Sequence, residues 1–210
     1  MTQLIDNDEL ATVKLPMTYD EFIHWCTSEH HYEWVEGFPQ RISPVNLSHQ
    51  RIVMFLSELI QRHLKATRQG ELLLGPFQMR LSTVDRGREP DLLVVLQANA
   101  VRIRENYVDG PADLAIEVIS PGGARRDRVE KFAEYEQEGV REYWIIDPAK
   151  RTADFFALAQ SSSNNQPKYQ SIKPGVDGFY DCNVLPGLRV KPNWLWLSPL
   201  PEIDDIAAEL

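Results

Sequence analysis

At 210 residues the chain is long enough for one domain with a sizeable core, without disulfide staples. With 43% hydrophobic, 25% charged and 10% aromatic residues, the composition fits neither a disordered nor a fibrous protein. Lys plus Arg number 22 against 31 Asp plus Glu, a formal charge of −9, which argues against nucleic-acid coating through bulk charge and requires a local basic site for any polyanion.

Cys26 and Cys182 lie far apart, and the start MTQLIDNDEL has neither a basic nor an apolar stretch, so the expectation is a reduced, cytoplasmic protein. Apolar runs such as Leu92 to Leu96 fall far short of the ~20 residues that span a bilayer, so no membrane partner is expected.

Residues 1–15, rich in Asp and Asn, read as a loose arm, residues 16–200 as one domain and 201–210 as a tail. Thr18-Tyr-Asp-Glu21 fits a capping box and predicts a short helix from Tyr19 to Ser28. Tyr32 to Val35 and Phe38 to Ile42, around Glu36-Gly37, predict a hairpin. From Ser48 to Arg68, Ile52, Val53, Leu56, Leu59, Ile60 and Leu64 recur at helical steps, with Gly70 as the left-handed stop. Glu71 to Leu74, Phe77 to Leu81, Asp91 to Leu96 and Leu114 to Ile119 are short apolar runs expected to form the central sheet. Arg125 to Glu138 reads as a helix stopped by Gly139, and Glu142 to Ile146 as a buried strand, giving a right-handed strand-helix-strand crossover. Thr152 to Leu158, the polar loop Ser161 to Pro167 and extended pieces through Val190 suggest peripheral antiparallel strands. The fold class is α/β, a mixed central sheet flanked by helices.

Asp91 opens one hydrophobic strand and Glu117 sits inside another, where a charge demands a partner. If the strands are neighbours, both carboxylates reach one end of the sheet and supply oxygen ligands for a hard cation such as Mg²⁺. Taken alone, Asp91 also suits a turn and Glu117 a structural pairing with Arg. Asp127 and Lys131 share a helical face just after the Glu117 strand, so an ammonium can approach the carboxylates; a solvated ion pair is the plainer alternative. Arg102, Arg104, Arg125, Arg126 and Arg128 flank this region and could engage phosphates, or simply offset the surrounding acids. Ser120 suits a turn cap or a phosphate contact.

Pro90-Asp91, Glu117-Val-Ile-Ser-Pro121, Arg125-Arg-Asp-Arg-Val-Glu-Lys131, Tyr135 and Gly139-Val-Arg-Glu-Tyr-Trp-Ile-Ile-Asp-Pro148 occur in that order. Together with Met17 to Phe22, Tyr32-Glu33, Gly37, Ser43-Pro44, Ser48-His49 and Leu185 to Leu188, they resemble the Uma-two family, a branch of the PD-(D/E)XK nuclease superfamily. The resemblance covers about residues 16 to 190 and implies a restriction-endonuclease-like core that hydrolyses nucleic acid with a divalent metal. It implies Asp91 and Glu117 as metal ligands, with the carbonyl of Val118 as a further one. The superfamily pattern puts Lys two residues after the Glu, where this chain has Ile119, so Lys131 is the candidate for a migrated lysine. Glu33, in the first strand, and His49, at the start of the long helix, are further catalytic candidates, each with a structural alternative.

The expected function is therefore a Mg²⁺-dependent endonuclease, Mn²⁺ substituting, that acts on nucleic acid, DNA first, and works as a homodimer. Trp194, Leu195 and Trp196 suit an interface or a cover for the sheet edge. The alternative is a nuclease-fold module that binds nucleic acid or a protein without cutting; a solvent-facing Lys131 would favour it.

Overall fold

The computed structural model describes residues 15–26, 31–42, 44–159 and 167–207. The expected loose arm and the polar loop after Ser161 lie almost wholly outside them, as do Ser28 and Ser43.

Helix α1 (Tyr19–Trp25) starts on the expected capping box: Glu21 N–H donates to Thr18 Oγ1 at 3.2 Å, and Thr18 N–H to Glu21 Oε2 at 2.7 Å. It ends at Trp25 rather than reaching Ser28, because Cys26 is already extended. Strands β1 (Tyr32–Val35) and β2 (Phe38–Arg41) form the hairpin. Its two turn residues, Glu36 and Gly37, both have positive φ, 50° and 88°, the loop that matches the strands' twist.

Helix α2 (Leu47–Thr67) is capped by Asn46, whose side chain accepts from His49 N–H at 2.9 Å, and buries Ile52, Phe55, Leu56, Leu59, Ile60 and Leu64. Arg68, at φ 55°, is its left-handed stop; Gly70 is not. Gly70 instead begins β3 (Gly70–Leu74), where a Cβ would lie 2.4 Å from the Val95 carbonyl oxygen, so close strand approach is what requires glycine there.

The chain continues through β4 (Gln78–Leu81), β5 (Arg86–Arg88), β6 (Leu92–Leu96), β7 (Tyr107–Asp109) and β8 (Leu114–Val118). A π-helical turn (Arg126–Lys131) then leads into α3 (Phe132–Glu138), which Gly139 stops at φ 94°. After it come β9 (Glu142–Asp147), β10 (Thr152–Ala159), β11 (Lys168–Ile172), β12 (Tyr180–Asp181), β13 (Arg189–Val190) and the short α4 (Ile203–Ile206).

The central sheet has the order β11-β10-β9-β8-β6-β3. Only β8 and β9 in it run parallel, joined through the helix as expected. A second sheet, β2-β1-β5-β4-β7, packs beside it. The expectation fails for Phe77 to Leu81: β4 joins this second sheet, paired with β5 and β7. A short apolar run carries no information about its partner strand.

Alternation along the central strands divides the core. Leu92, Val94, Leu114, Ile116, Val118 and Ile146 pack with α2 and the C-terminal segment, whereas Leu93, Val95, Ala115 and Ile145 pack with Tyr135, Met79 and Leu81. Each of the Leu, Val and Ile side chains among them contributes about 1.5–3 kcal/mol on burial. Trp194 and Leu195 are buried, Trp194 edge-on to Phe55 and Phe179, so this pair belongs to the core and offers no free interface. Among the described residues no helix is long and apolar enough to cross a membrane.

Candidate active site

The antiparallel register of β6 and β8 pairs Leu92 with Ile116, so Asp91 and Glu117 stand next along the same two strands, at the end of the ladder. Glu117 shares its face with Ala115, toward α3, while Ile116 and Val118 face α2. Asp91 Oδ2 accepts from Val118 N–H at 2.7 Å and lies 3.1 Å from His49 Nε2, which ties it to the end of β8 and to the first turn of α2.

The π-helical turn brings the cation. Lys131 Nζ lies 2.7 Å from Glu117 Oε1 and 2.8 Å from Glu33 Oε1, and is 1% exposed. Tyr135, one turn further, donates its hydroxyl to the same Glu117 oxygen at 2.9 Å. Glu33 is clamped from its other side by Arg88 Nη1 at 2.8 Å, and Arg88 grips Glu134 through Nε and Nη2 at 2.8 and 2.7 Å. The single extra residue per turn in a π segment is a common local distortion at functional sites. Here it supports both Asp127 and Lys131 as buried side chains on one side of the helix.

These groups line one small cleft, about 30 Å³, with Glu33, His49, Glu89, Asp91, Glu117, Val118, Ser120, Arg126, Asp127 and Lys131 in its wall. Every residue nominated as catalytic or metal-ligating therefore meets there. Of the five arginines nominated for phosphate, only Arg126 lines it. Arg102 donates to the Pro111 carbonyl, Arg104 pairs with Asp109, Arg125 with Glu130 and Arg128 with Asp154. A larger hollow, about 460 Å³, lies by Tyr19, Trp34 and Arg80. Arg86 in its wall is already tied to Glu36 and Glu134, and no lysine is among the described residues that line the hollow.

The cleft holds five carboxyl groups, Glu33, Glu89, Asp91, Glu117 and Asp127, against two full cations, Arg126 and Lys131. Burial would raise the Glu33 carboxyl, but Lys131, Arg88 and Arg126 outweigh it and hold Glu33 down to about 2. Glu117 shares Lys131 with Glu33; burial, with Asp127, Asp91 and Glu33 nearby, pushes it up to about 8 despite that lysine. Glu89 is raised to about 7, by burial first and then by Glu33, against a hydrogen bond from Gln78. Burial likewise raises Asp127. For Lys131 the attraction of Glu117, Glu33 and Asp127 overcomes burial and holds it protonated.

A divalent cation fits this donor set. The carboxylates outnumber the cations, and Asp127 Oδ1 is buried without a hydrogen-bond partner. Among the described residues no three His, Cys, Asp or Glu side chains converge into a ready-made cage. Mg²⁺ asks for less, one or two carboxylates, with water and phosphate oxygens completing its shell.

A model of the Uma2 family, described as “Putative restriction endonuclease”, matches residues 19–193. The chain belongs to the Uma2 family. It is also similar to a crystal structure described as a “putative nuclease belonging to DUF820” from Anabaena variabilis ATCC 29413, at 19% identity and a TM-score of 0.68, over 86% of this chain and 98% of that one. That likeness shows the shared α/β, nuclease-like fold. No curated protein matches the chain. Family and fold together make it a nuclease-type protein, as the ordered motifs imply.

Several groups in or behind the cleft escape sequence reasoning. Arg88, Glu89 and Glu134 are among them, although the charges of Arg86-Gly-Arg-Glu-Pro-Asp91, set directly before a buried strand, were a signal. Tyr135, noted only as part of the motif, proves to be a donor to Glu117.

Proposed function

We propose that this Uma2 protein is a divalent-metal-dependent endonuclease that hydrolyses a phosphodiester of nucleic acid, DNA being the expected substrate and Mg²⁺ the expected ion, with Mn²⁺ able to replace it. The observation that carries the reading is the burial of Lys131 against Glu117, beside Asp91, at one end of the central sheet. A lysine turned to solvent would have favoured a binding module without catalysis.

In this reading Asp91, Glu117 and the Val118 carbonyl hold the cation. When bound, it supplies Lewis-acid polarisation of a phosphoryl oxygen and a lowered pKa for water. Lys131 fixes the orientation of Glu117 and keeps a positive charge where negative charge develops on phosphate. Glu33 and Arg88 act one step behind, holding the lysine in place through the 2.8 Å contacts on either side of Glu33. His49 does the same for Asp91 through Nε2 at 3.1 Å.

Calorimetric titration of Mg²⁺ and Mn²⁺ into the wild type, Asp91→Asn and Glu117→Gln tests the ligand assignment. The expected result is a saturable site weakened about tenfold or more in each variant, the scale of losing an orienting or ligating group. Equal affinity in all three proteins would remove these carboxylates from the site.

A further inference from the structure

The cleft has a difficulty as a phosphate site: a phosphodiester entering it meets five carboxyl groups. Lys131 gives limited help, being 1% exposed and shared between Glu117 and Glu33. Arg126 is differently placed. Its side chain lines the cleft at 25% exposure, and its Nε is buried with no hydrogen-bond partner. The carboxylate it faces, Asp127 Oδ1, stands 3.7 Å away, beyond hydrogen-bond range, and is itself unpartnered. A guanidinium held beside a cleft with its Nε unpartnered is matched to paired anionic oxygens, and where carboxyl groups already line the cleft the incoming ligand of that chemistry is a phosphate, which it can take in a bidentate fork.

We propose that Arg126 is the residue that grips the substrate's phosphodiester at the mouth of the cleft, exchanging its loose contact with Asp127 for hydrogen bonds to phosphate oxygens. The proposal rests on the nuclease reading above. It names the group that offsets the cleft's acidity for an incoming polyanion, and so a positioning role in binding rather than one in the chemical step.

The test is fluorescence anisotropy with a labelled DNA duplex and an RNA duplex of the same sequence, in Ca²⁺ to slow turnover, over a range of salt. Wild type, Arg126→Gln, Arg126→Lys and Arg104→Gln are compared, Arg104 being paired with Asp109 away from the cleft. Arg126→Gln is expected to weaken binding about tenfold or more, the worth of a charge-assisted hydrogen bond, and to lower the salt slope by about one. Arg126→Lys, which keeps the charge and guards against misfolding, should keep the slope and recover only part of the affinity. Loss confined to one duplex identifies the backbone that Arg126 holds. If Arg126→Gln binds like wild type, or Arg104→Gln loses as much, the proposal is overturned while the nuclease reading stands. Absence of wild-type binding to either duplex overturns both.

Discussion

Lys131 Nζ lies 2.7 Å from Glu117 Oε1, yet the two residues belong to different elements, a strand end and the π-helical turn that follows it. Where the superfamily pattern would use the same strand, Ile119 packs into the core beside Ala115 and Tyr135. The ammonium thus arrives from the helix side, the face to which Glu117 points, and Tyr135 from the same helix completes the contact.

Above about pH 8, where Glu117 is ionised as Glu33 already is, removing that ammonium strands two buried carboxylates. Lys131→Met is expected to destabilise the fold by about 3–5 kcal/mol, the usual cost of breaking a buried pair from one side. Adding Glu117→Gln should recover part of the loss, because the neutral amide needs no counter-charge. Chemical denaturation of the two variants checks this; an unchanged midpoint in the single variant would mean that the buried pair contributes nothing.

Stability should also depend on pH in a defined sense. Glu117 and Glu89 are raised from 4.5 to about 8 and about 7, so in that range the folded chain holds more protons than the unfolded one. Their contribution is complete below about 4.5 and is lost as pH climbs through 7 and 8. Glu33, held down to about 2, acts in the opposite direction and only on the acid side of 4.5. Melting in EDTA is therefore expected to fall between about pH 5.5 and 8.5, with Glu117→Gln flattening the decline. A saturating divalent cation should restore more stability at the higher pH, about 2.7 kcal/mol at a hundredfold excess over its Kd. A pH-independent melting temperature would contradict the charge balance described for the cleft.

How much of this could be read beforehand differs by level. Helix α2, the hairpin, the capping box and the crossover from β8 to β9 follow from local periodicity and turn chemistry. Strand partners do not: β4, β5 and β7 are gathered into the second sheet by tertiary pairing that no local run of residues encodes. The site was legible as an ordered set of residues rather than from any one of them. Glu142 shows why: it too is a carboxylate buried in an apolar strand, but Trp144 Nε1, Tyr180 hydroxyl and Val184 N–H donate to it at 2.7, 2.6 and 2.8 Å, so neutral donors satisfy it. Nothing local distinguishes Glu142 from Glu117; only their tertiary partners do. Arg88 is illegible locally for the same reason, since its role depends on Glu33 and Glu134, each more than forty residues distant.

His49 offers a separate check. It contacts Asp91 but not Lys131, so His49→Ala is expected to lower metal affinity and cleavage by about 10–100-fold, the range for a group that orients a ligand. His49→Asn, which can still donate, should be milder. Mg²⁺ titration alongside cleavage rates separates these outcomes, and an effect on cleavage without one on affinity would assign His49 a different role.

The most direct measurement is nicking and linearisation of supercoiled plasmid with Mg²⁺, Mn²⁺ or EDTA, comparing wild type, Asp91→Ala and Lys131→Ala. The account predicts cleavage by the wild type that needs the divalent ion and drops by about 10²-fold or more in both variants, as expected for loss of a charge-stabilising group. Cleavage equal in all three proteins, or unaffected by EDTA, would contradict it.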